Sequence, residues 1–176
     1  EGAVREEQPM YLVCTHGKRD RCCAKWGLRL WDAMYAQLPD RAWQTTHLGG
    51  HRFAANVVVL PHGLSYGRMT EDDTRRFLAA HERGEMHDIE QLRGRTCWPA
   101  AVQAAECYLR RDTGLTTLDA PALADARDEG GGVTRVRFAL PDGTTHDITV
   151  RQEDTGHARP KSCGDEILSA TRLVRA

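Results

Sequence analysis

The stretch MYLVCTHGKRDRCCAKWGLRLWDAMYAQL (10–38) decides the fold. It opens with a short apolar run of strand formers that reaches Cys14, and its apolar residues then recur at spacings of three and four. The first pattern predicts a buried strand, and the second predicts a helix over 22–38, which Pro39 ends. Residues 41–47 indicate a second strand that runs into a Gly-Gly loop.

The next segment predicts a β-hairpin followed by a second helix. Strand-forming runs at 54–60 and 64–69 flank a Pro-His-Gly turn. Thr70 then begins a helix whose acidic first turn suits the positive end of the helix dipole, and Gly84 closes it. This order of strands and helices is that of a thioredoxin-like sheet. We predict an α/β fold with a thioredoxin-like core over residues 5–90.

Residues 91–176 are expected to form a C-terminal extension that packs on this core. Pro99 stands near the start of a helix with one apolar stripe, and the polar stretch ending at 129–132 indicates a loop. Runs at 133–140 and 144–151 flank Pro-Asp-Gly, which is typical of a hairpin. The tail is expected to add a further strand. Whether this extension covers a site, binds a partner or forms a homodimer is left open.

Composition excludes several function classes. The 176 residues carry a net charge of −1 with scattered Lys and Arg, so neither nucleic acid nor an anionic membrane is expected as a partner. No apolar run approaches the roughly 20 residues that span a bilayer. The polar, acidic start is unlike a signal peptide, and we expect a cytoplasmic protein. Because the chain begins with Glu, we expect a piece excised from a longer protein.

Metal-ligand residues follow two of the predicted strands. Cys14 ends the first strand, and Cys22 and Cys23 stand at the start of the following helix. His47 and His51 lie at the two ends of the Gly-Gly loop after the second strand. In a chain of this size without a secretory signal, reduced thiols for metal binding are favoured over a disulfide framework.

Positive charge around these cysteines predicts that they are thiolates. The helix dipole favours an anion at the helix start, and three basic residues stand in or beside the loop: Lys18, Arg19 and Arg21. Two cysteines with two histidines suit a structural zinc site. They also match the ligand types of a [2Fe–2S] centre in which His replaces Cys on one iron. The spacing alone leaves zinc and iron–sulfur open.

Two longer stretches carry a family resemblance. CTHGKRDRCCAKWG (14–27) and HLGGHRFAANVVVLPHGLSYGR (47–68) closely resemble the sucrase/ferredoxin-like family, with WPAAVQAAE (98–106) and SCGDE (162–166) similar to its later segments. That group of thioredoxin-like [2Fe–2S] proteins includes fungal actin-patch-distal proteins and many bacterial members. The resemblance is strongest over residues 10–69.

The resemblance implies one [2Fe–2S] cluster held by two cysteines and two histidines. Carried over, the ligands are Cys14, Cys23, His47 and His51, with Cys22 the alternative to Cys23. The family's Arg-Asp-x-x-Cys order favours Cys23. Four further residues are expected around the cluster: Arg19 and Asp20, which otherwise form an exposed ion pair, and Gly49 and Gly50, which let the backbone approach.

The implied function is electron transfer by a carrier rather than an enzyme. Neutral imidazole ligands remove negative charge, so the potential is expected above that of a four-cysteine ferredoxin and coupled to protons. No dinucleotide fingerprint follows a strand, so we expect electrons from a separate protein, a flavoprotein reductase, and an acceptor that the sequence does not identify. The alternative is a zinc-stabilised structural or interaction domain.

The other cysteines receive no role in this hypothesis. Cys97 and Cys107 lie on or beside an apolar helical stripe and are predicted to be buried, inert thiols. Cys163 precedes a glycine in a predicted loop.

Overall fold

The computed structural model describes residues 8–160 and 167–176, which form two β-sheets with three α-helices. The first sheet has five strands and the second has four. The elements are β1 (Met10–Cys14), α1 (Arg21–Tyr35), β2 (Ala42–Thr45), β3 (Val57–Leu60), β4 (Leu64–Tyr66), α2 (Thr74–Glu82), β5 (Leu92–Arg95), α3 (Ala100–Thr113), β6 (Ala122–Gly130), β7 (Val133–Ala139), β8 (Thr145–Pro160) and β9 (Ile167–Arg175). Two 3₁₀ turns lie at His51–Phe53 and Glu71–Asp73.

The first sheet has the strand order β2-β1-β3-β4-β5. β1 and β2 are parallel and joined by α1, whereas each of the other neighbouring pairs is antiparallel. The βαβ unit followed by a hairpin and a helix is therefore present, and the predicted thioredoxin-like core is confirmed. No helix within the described ranges is both long enough and apolar enough to cross a membrane.

The core of the first sheet is assembled by its central strand and two helices. The first three residues of β3, Val57 to Val59, are all buried, as expected for a strand covered on both faces. α1 contributes Leu30 and Met34 to this core, and α2 contributes Phe77. Leu28 and Tyr35, which belong to the apolar pattern that predicts this helix, are exposed, so the buried face of α1 is offset from that pattern.

The second sheet packs on α3 and makes a separate core. Val102 and Leu109 of α3 are buried with Phe138 of β7 and Val150 of β8. The predicted C-terminal helix and hairpin are thereby confirmed, and β9 supplies the further strand. The proposed division of the chain near residue 90 stays a prediction; β5 pairs with β4 in the first sheet.

One prediction for the extension was wrong. The polar stretch before 129–132 was expected to be a loop, but β6 pairs with β7 over nearly its whole length. Eight of the nine side chains of β6 are exposed, so it is held by backbone hydrogen bonds rather than by burial. An exposed edge strand needs no apolar alternation, and the sequence therefore carries no strand signal there.

The cysteines outside the ligand loops differ from one another. Cys97 is exposed, so the prediction that it is buried was wrong. Cys107 is half-buried against the first core, and burial raises its pKa to about 11, which makes it an inert thiol. Cys163 lies outside the described residues.

Candidate metal centre

The two ligand loops leave the first sheet at the same edge. β1 and β2 are parallel, and Cys14 at the end of β1 stands opposite Thr45 at the end of β2. The loop that leads to α1 therefore lies beside the loop that holds His47 and His51. This juxtaposition depends on the parallel pairing, which the right-handed crossover through α1 allows.

Three of the four predicted ligands come together in the structure. One ligand atom from each of Cys14, Cys23 and His47 lies within 4.8 Å of the other two. Cys23 Sγ is 4.0 Å from His47 Nδ1, and both cysteine side chains are fully buried. Cys22 is half-buried and is not part of this group. The cysteine that faces Cys14 is thus Cys23.

His51 lies beside this group rather than within it. It begins the 3₁₀ turn that follows Gly50, and its side chain is only 11% exposed. Its Nδ1 atom lies 3.8 Å from a carboxylate oxygen of Asp20. The structure therefore places the fourth predicted ligand at the wall of the site.

Asp20 connects the two imidazoles. Its side chain is fully buried, and its carboxylate lies 3.4 Å from His47 Nδ1 as well as near His51. A buried carboxylate beside a metal-binding imidazole orients the ring and selects its tautomer. Arg19, the other residue expected around the loop, is exposed.

The diglycine loop is shaped by positive φ angles and by a buried amide. Gly49 and Gly50 have φ angles of 82° and 62°, which side chains disfavour. Asn56 donates hydrogen bonds from Nδ2 to the carbonyl oxygens of both glycines, at 3.2 and 3.0 Å. Asn56 was not among the residues predicted for this site. Its only signal is a polar residue placed directly before an apolar strand.

Gly27 sets the distance between α1 and the end of β1. A Cβ atom at this position would lie 2.0 Å from the carbonyl oxygen of Cys14. Only glycine therefore lets the helix approach this closely, and the approach brings Cys23 towards Cys14.

The prediction of a thiolate at Cys23 was wrong for the chain without a metal. Burial raises the pKa of the Cys23 thiol well above its usual range, and Cys14, Cys22 and Asp20 raise it further. The basic residues thought to lower this pKa are exposed: Lys18, Arg19 and Arg21. A bound cation would reverse the balance, because a metal favours the deprotonated thiol.

The donor set fits a metal of intermediate or soft character. Two thiols and one imidazole nitrogen share one buried space, and these are the ligand types of zinc and iron–sulfur sites. The carboxylate of Asp20 is already engaged with both imidazoles.

Comparison with known proteins places the chain in a family. The sucrase/ferredoxin-like profile matches residues 3–94, which is more than half of the chain. The chain belongs to the sucrase/ferredoxin-like family. The match covers both ligand loops, whereas α3 and the second sheet lie beyond it.

One curated relative from this comparison is "Altered inheritance of mitochondria protein 32" of Meyerozyma guilliermondii. It is 34% identical over an alignment of 76 residues, and the match covers 38% of this chain and 27% of that protein. The chain therefore matches only about a quarter of the relative's length.

Solved structures similar to this sucrase/ferredoxin-like chain include the thioredoxin-like [2Fe-2S] ferredoxin from Aquifex aeolicus. One structure of it is 16% identical with a TM-score of 0.46, and covers 53% of this chain and 97% of that one. Its Cys59Ser variant is 17% identical with a TM-score of 0.41, and covers 48% and 96%. At this level of similarity, the likeness makes no statement about function.

Proposed function

We propose that this protein is an electron carrier with one [2Fe–2S] cluster bound by Cys14, Cys23, His47 and His51. The observation that carries the proposal is the meeting of Cys14, Cys23 and His47 at the ends of two parallel strands. Membership in the sucrase/ferredoxin-like family supports it. Such a cluster, when bound, accepts and releases one electron at a time.

The chain's own residues would prepare the site for this role. Buried Cys14 and Cys23 exclude water from the ligand atoms, which lowers the local dielectric constant and strengthens electrostatic interactions. The carboxylate of Asp20 lies 3.4 and 3.8 Å from the Nδ1 atoms of the two imidazoles, and Asn56 fixes the loop between them. Nδ1 of His47 faces Cys23 and would bind the metal, so Nε2 is the nitrogen left to exchange a proton with solvent.

This placement leads us to expect a pH-dependent potential. An imidazole that gains a proton when an electron arrives stabilises the reduced state, so the midpoint potential should fall as pH rises. We further expect a flavoprotein reductase as electron donor and a separate protein as acceptor, since an electron carrier works between two partners.

A structural zinc site is the second candidate. The compact spacing of the three ligand atoms, all within 4.8 Å of one another, also suits a single tetrahedral ion. In that case the site would hold the loops of β1 and β2 together and would carry no electrons.

Optical and EPR spectra of anaerobically purified protein, before and after dithionite, separate the two candidates. A coloured protein whose reduced EPR signal changes in a His51→Cys variant supports the proposed cluster with a histidine ligand. Stoichiometric zinc in colourless protein, after expression with adequate iron, overturns it. A coloured protein with an unchanged signal in the variant would remove His51 from the ligand set.

A further inference from the structure

Three arginine side chains gather around one aromatic ring close to the candidate metal centre. The guanidinium carbons of Arg93, Arg52 and Arg68 lie 3.7, 4.6 and 5.4 Å from the centroid of Phe53. Guanidinium groups at such distances are attracted by the negative face of the ring. We call Arg52, Phe53, Arg68 and Arg93 the arginine patch.

The patch comes from three separate segments of the chain. Arg52 and Phe53 belong to the 3₁₀ turn after the diglycine loop, Arg68 follows β4, and Arg93 lies in β5. Residues so far apart in sequence meet because β4 and β5 pair and because the turn folds over them. The backbone N–H of Arg68 donates to the carbonyl oxygen of Phe53 at 2.6 Å.

The backbone at Arg68 is held in an unusual conformation. Its φ angle is 60°, in the left-handed region that side chains other than glycine rarely adopt. The preceding Gly67 packs so closely that a Cβ atom would lie 2.9 Å from Phe53 Cβ. Strained residues of this kind persist where the surrounding structure enforces them, and they cluster at functional sites.

Two of the patch charges have no carboxylate partner in the part of the chain that the structure describes. Within residues 8–160 and 167–176, no acidic side chain comes within 4.0 Å of the guanidinium nitrogens of Arg68 or Arg93. All three arginines are exposed. Burial of part of the Arg93 side chain lowers its pKa, and the charges of Arg52 and Arg68 lower it further. A chain with a net charge of −1 thus concentrates positive charge on one small surface.

The patch also lies next to the candidate metal centre. A cavity of about 530 Å³ is lined by His47 together with Arg52, Phe53 and Arg93. A second cavity of about 560 Å³ shares the same three patch residues and reaches α3 and β9. Arg52, Phe53 and Arg93 therefore lie between the cavity that His47 lines and the second cavity on the surface.

We propose that the arginine patch is the docking surface for a protein partner with a carboxylate-rich face. Charge complementarity accelerates the encounter of two proteins and orients it, chiefly through the association rate. Docking here would bring an acidic partner against the cavity that His47 lines. The electron exchange rests on the proposed function, whereas the binding of acidic groups depends only on the patch.

The binding test uses hexaglutamate as a probe and isothermal titration calorimetry at low and at physiological salt. We expect binding at low salt that weakens as salt screens the charges. The double variant Arg68→Gln and Arg93→Gln should weaken binding about tenfold. The matched control is Arg75→Gln, since Arg75 is an exposed arginine of α2 that lines neither cavity; it should leave the affinity unchanged.

Two results would overturn the docking proposal. The first is a change in binding free energy in the double variant that is no more than twice the change in Arg75→Gln; because the double variant removes two charges and the control one, this would mean that general charge alone drives binding. The second is one-to-one binding of inorganic phosphate more tightly than hexaglutamate, which would make the patch a site for small anions. Because calorimetry needs no cluster, it reads the patch even if the metal proves to be zinc.

A kinetic test connects the patch to electron transfer. One electron leaves the dithionite-reduced protein and converts hexacyanoferrate(III) to hexacyanoferrate(II), which stopped-flow absorbance follows. The double variant should slow this reaction and should not slow oxidation by cationic hexaamminecobalt(III). Unchanged rates with both oxidants would exclude the patch as the surface at which the electron is transferred. The optical and EPR spectra would still show whether a cluster is bound.

Discussion

Two buried polar clusters lie at different ends of the first sheet, and they differ in their chemical groups. One contains ion pairs, and the other contains thiols and an imidazole. At the junction with α3, Glu106 accepts from Arg110 Nε at 3.1 Å and lies 3.3 Å from Arg95 Nε. All three side chains are nearly inaccessible. The guanidinium groups also donate to backbone carbonyl oxygens of the segment after α3, those of Leu115, Thr117, Leu118 and Ala120. This cluster contains both signs of charge, and protein atoms accept most of its hydrogen bonds, although Arg95 Nε and Glu106 Oε2 form none among the described residues.

The candidate metal centre is built around two buried thiols. Buried Cys14 and Cys23 face an imidazole, and buried Asp20 is shared by His47 and His51. Burial raises the pKa of the Cys23 thiol, so a bound cation would favour its deprotonated form. The comparison teaches that burial of polar groups alone does not mark a functional site. Metal-ligand side chains that gather from two loops do, because a bound metal recovers the free energy that burial of the thiols costs.

The largest expected effect comes from removing one proposed ligand of the candidate metal centre. In Cys23→Ser we expect complete loss of bound metal, because a serine hydroxyl does not replace a thiolate ligand. Elemental analysis of purified protein measures iron and zinc per chain. Cys22→Ser is the matched control, since Cys22 stands outside the three-ligand group, and it should keep the metal. The reverse result would exchange the two cysteines in the proposed ligand set.

Removing one member of the Arg95–Glu106–Arg110 cluster should instead destabilise the fold. Arg110→Met leaves Glu106 with one partner and several carbonyl groups without donors, so we expect a loss of about 3–5 kcal/mol in the free energy of unfolding. Urea titration of the metal-free protein measures this loss. Arg111→Met is the control, because Arg111 forms an exposed ion pair with Glu90 that is worth about 1 kcal/mol or less. Similar losses in both variants would contradict a structural role for the buried cluster.

A third buried polar group gives a pH dependence that belongs to neither cluster. His81 packs among Tyr11, Tyr66 and Phe77, and burial lowers its pKa to about 4. Between pH 6.5 and 4 the unfolded chain therefore binds a proton that the folded chain does not. The free energy of unfolding should fall by up to about 3 kcal/mol as pH falls through this range.

Urea titrations at several pH values check this slope against a His81→Phe variant. The variant should lose most of the slope, while the lowered pKa of the neighbouring half-buried His87 leaves a smaller one of the same sign. A slope that is unchanged in His81→Phe would assign the pH dependence to other groups, the metal centre among them.

The smallest expected effect comes from disturbing the packing of α1 beside the candidate metal centre. Gly27→Ala places a methyl group against the Cys14 carbonyl oxygen, and we expect a loss of about 1–3 kcal/mol in the free energy of unfolding together with weaker metal binding. Gly84→Ala is the control, because Gly84 has a positive φ angle but open space around it. It should lose about 1 kcal/mol and keep its metal affinity. Equal metal binding in both variants would show that α1 does not set the site geometry.

Some features of the candidate metal centre and the arginine patch are predictable from the sequence, and others are not. Cys14 and His47 follow two strands with a helix between them, so the pattern itself predicts that their loops meet. Asn56 and Arg68 are different, because their importance lies in a backbone contact and a backbone angle. No side-chain pattern reports either property.

The buried charges and the edge strand were equally hard to predict. Glu106 and Arg110 are spaced like an exposed helical ion pair, and only the packing of α3 against β5 buries them. β6 pairs through its backbone while its side chains stay exposed, so the period of apolar residues does not reveal it. Periodicity predicts what is buried against a core, and these features do not depend on it.

The parallel pairing of β1 with β2 would also control how fast a bound cofactor becomes exposed. In the proposed holoprotein, the segment from β1 into α1 supplies the cysteines and the loop after β2 supplies the histidines, so the cofactor spans the seam between two hydrogen-bonded parallel strands that α1 joins along the chain. Separation of the seam would expose the cluster to a chelator, and its colour would fade at the rate at which the strands part. The rate of absorbance loss would then report the rate of one local opening event, and a spectrophotometer would measure it without any added label.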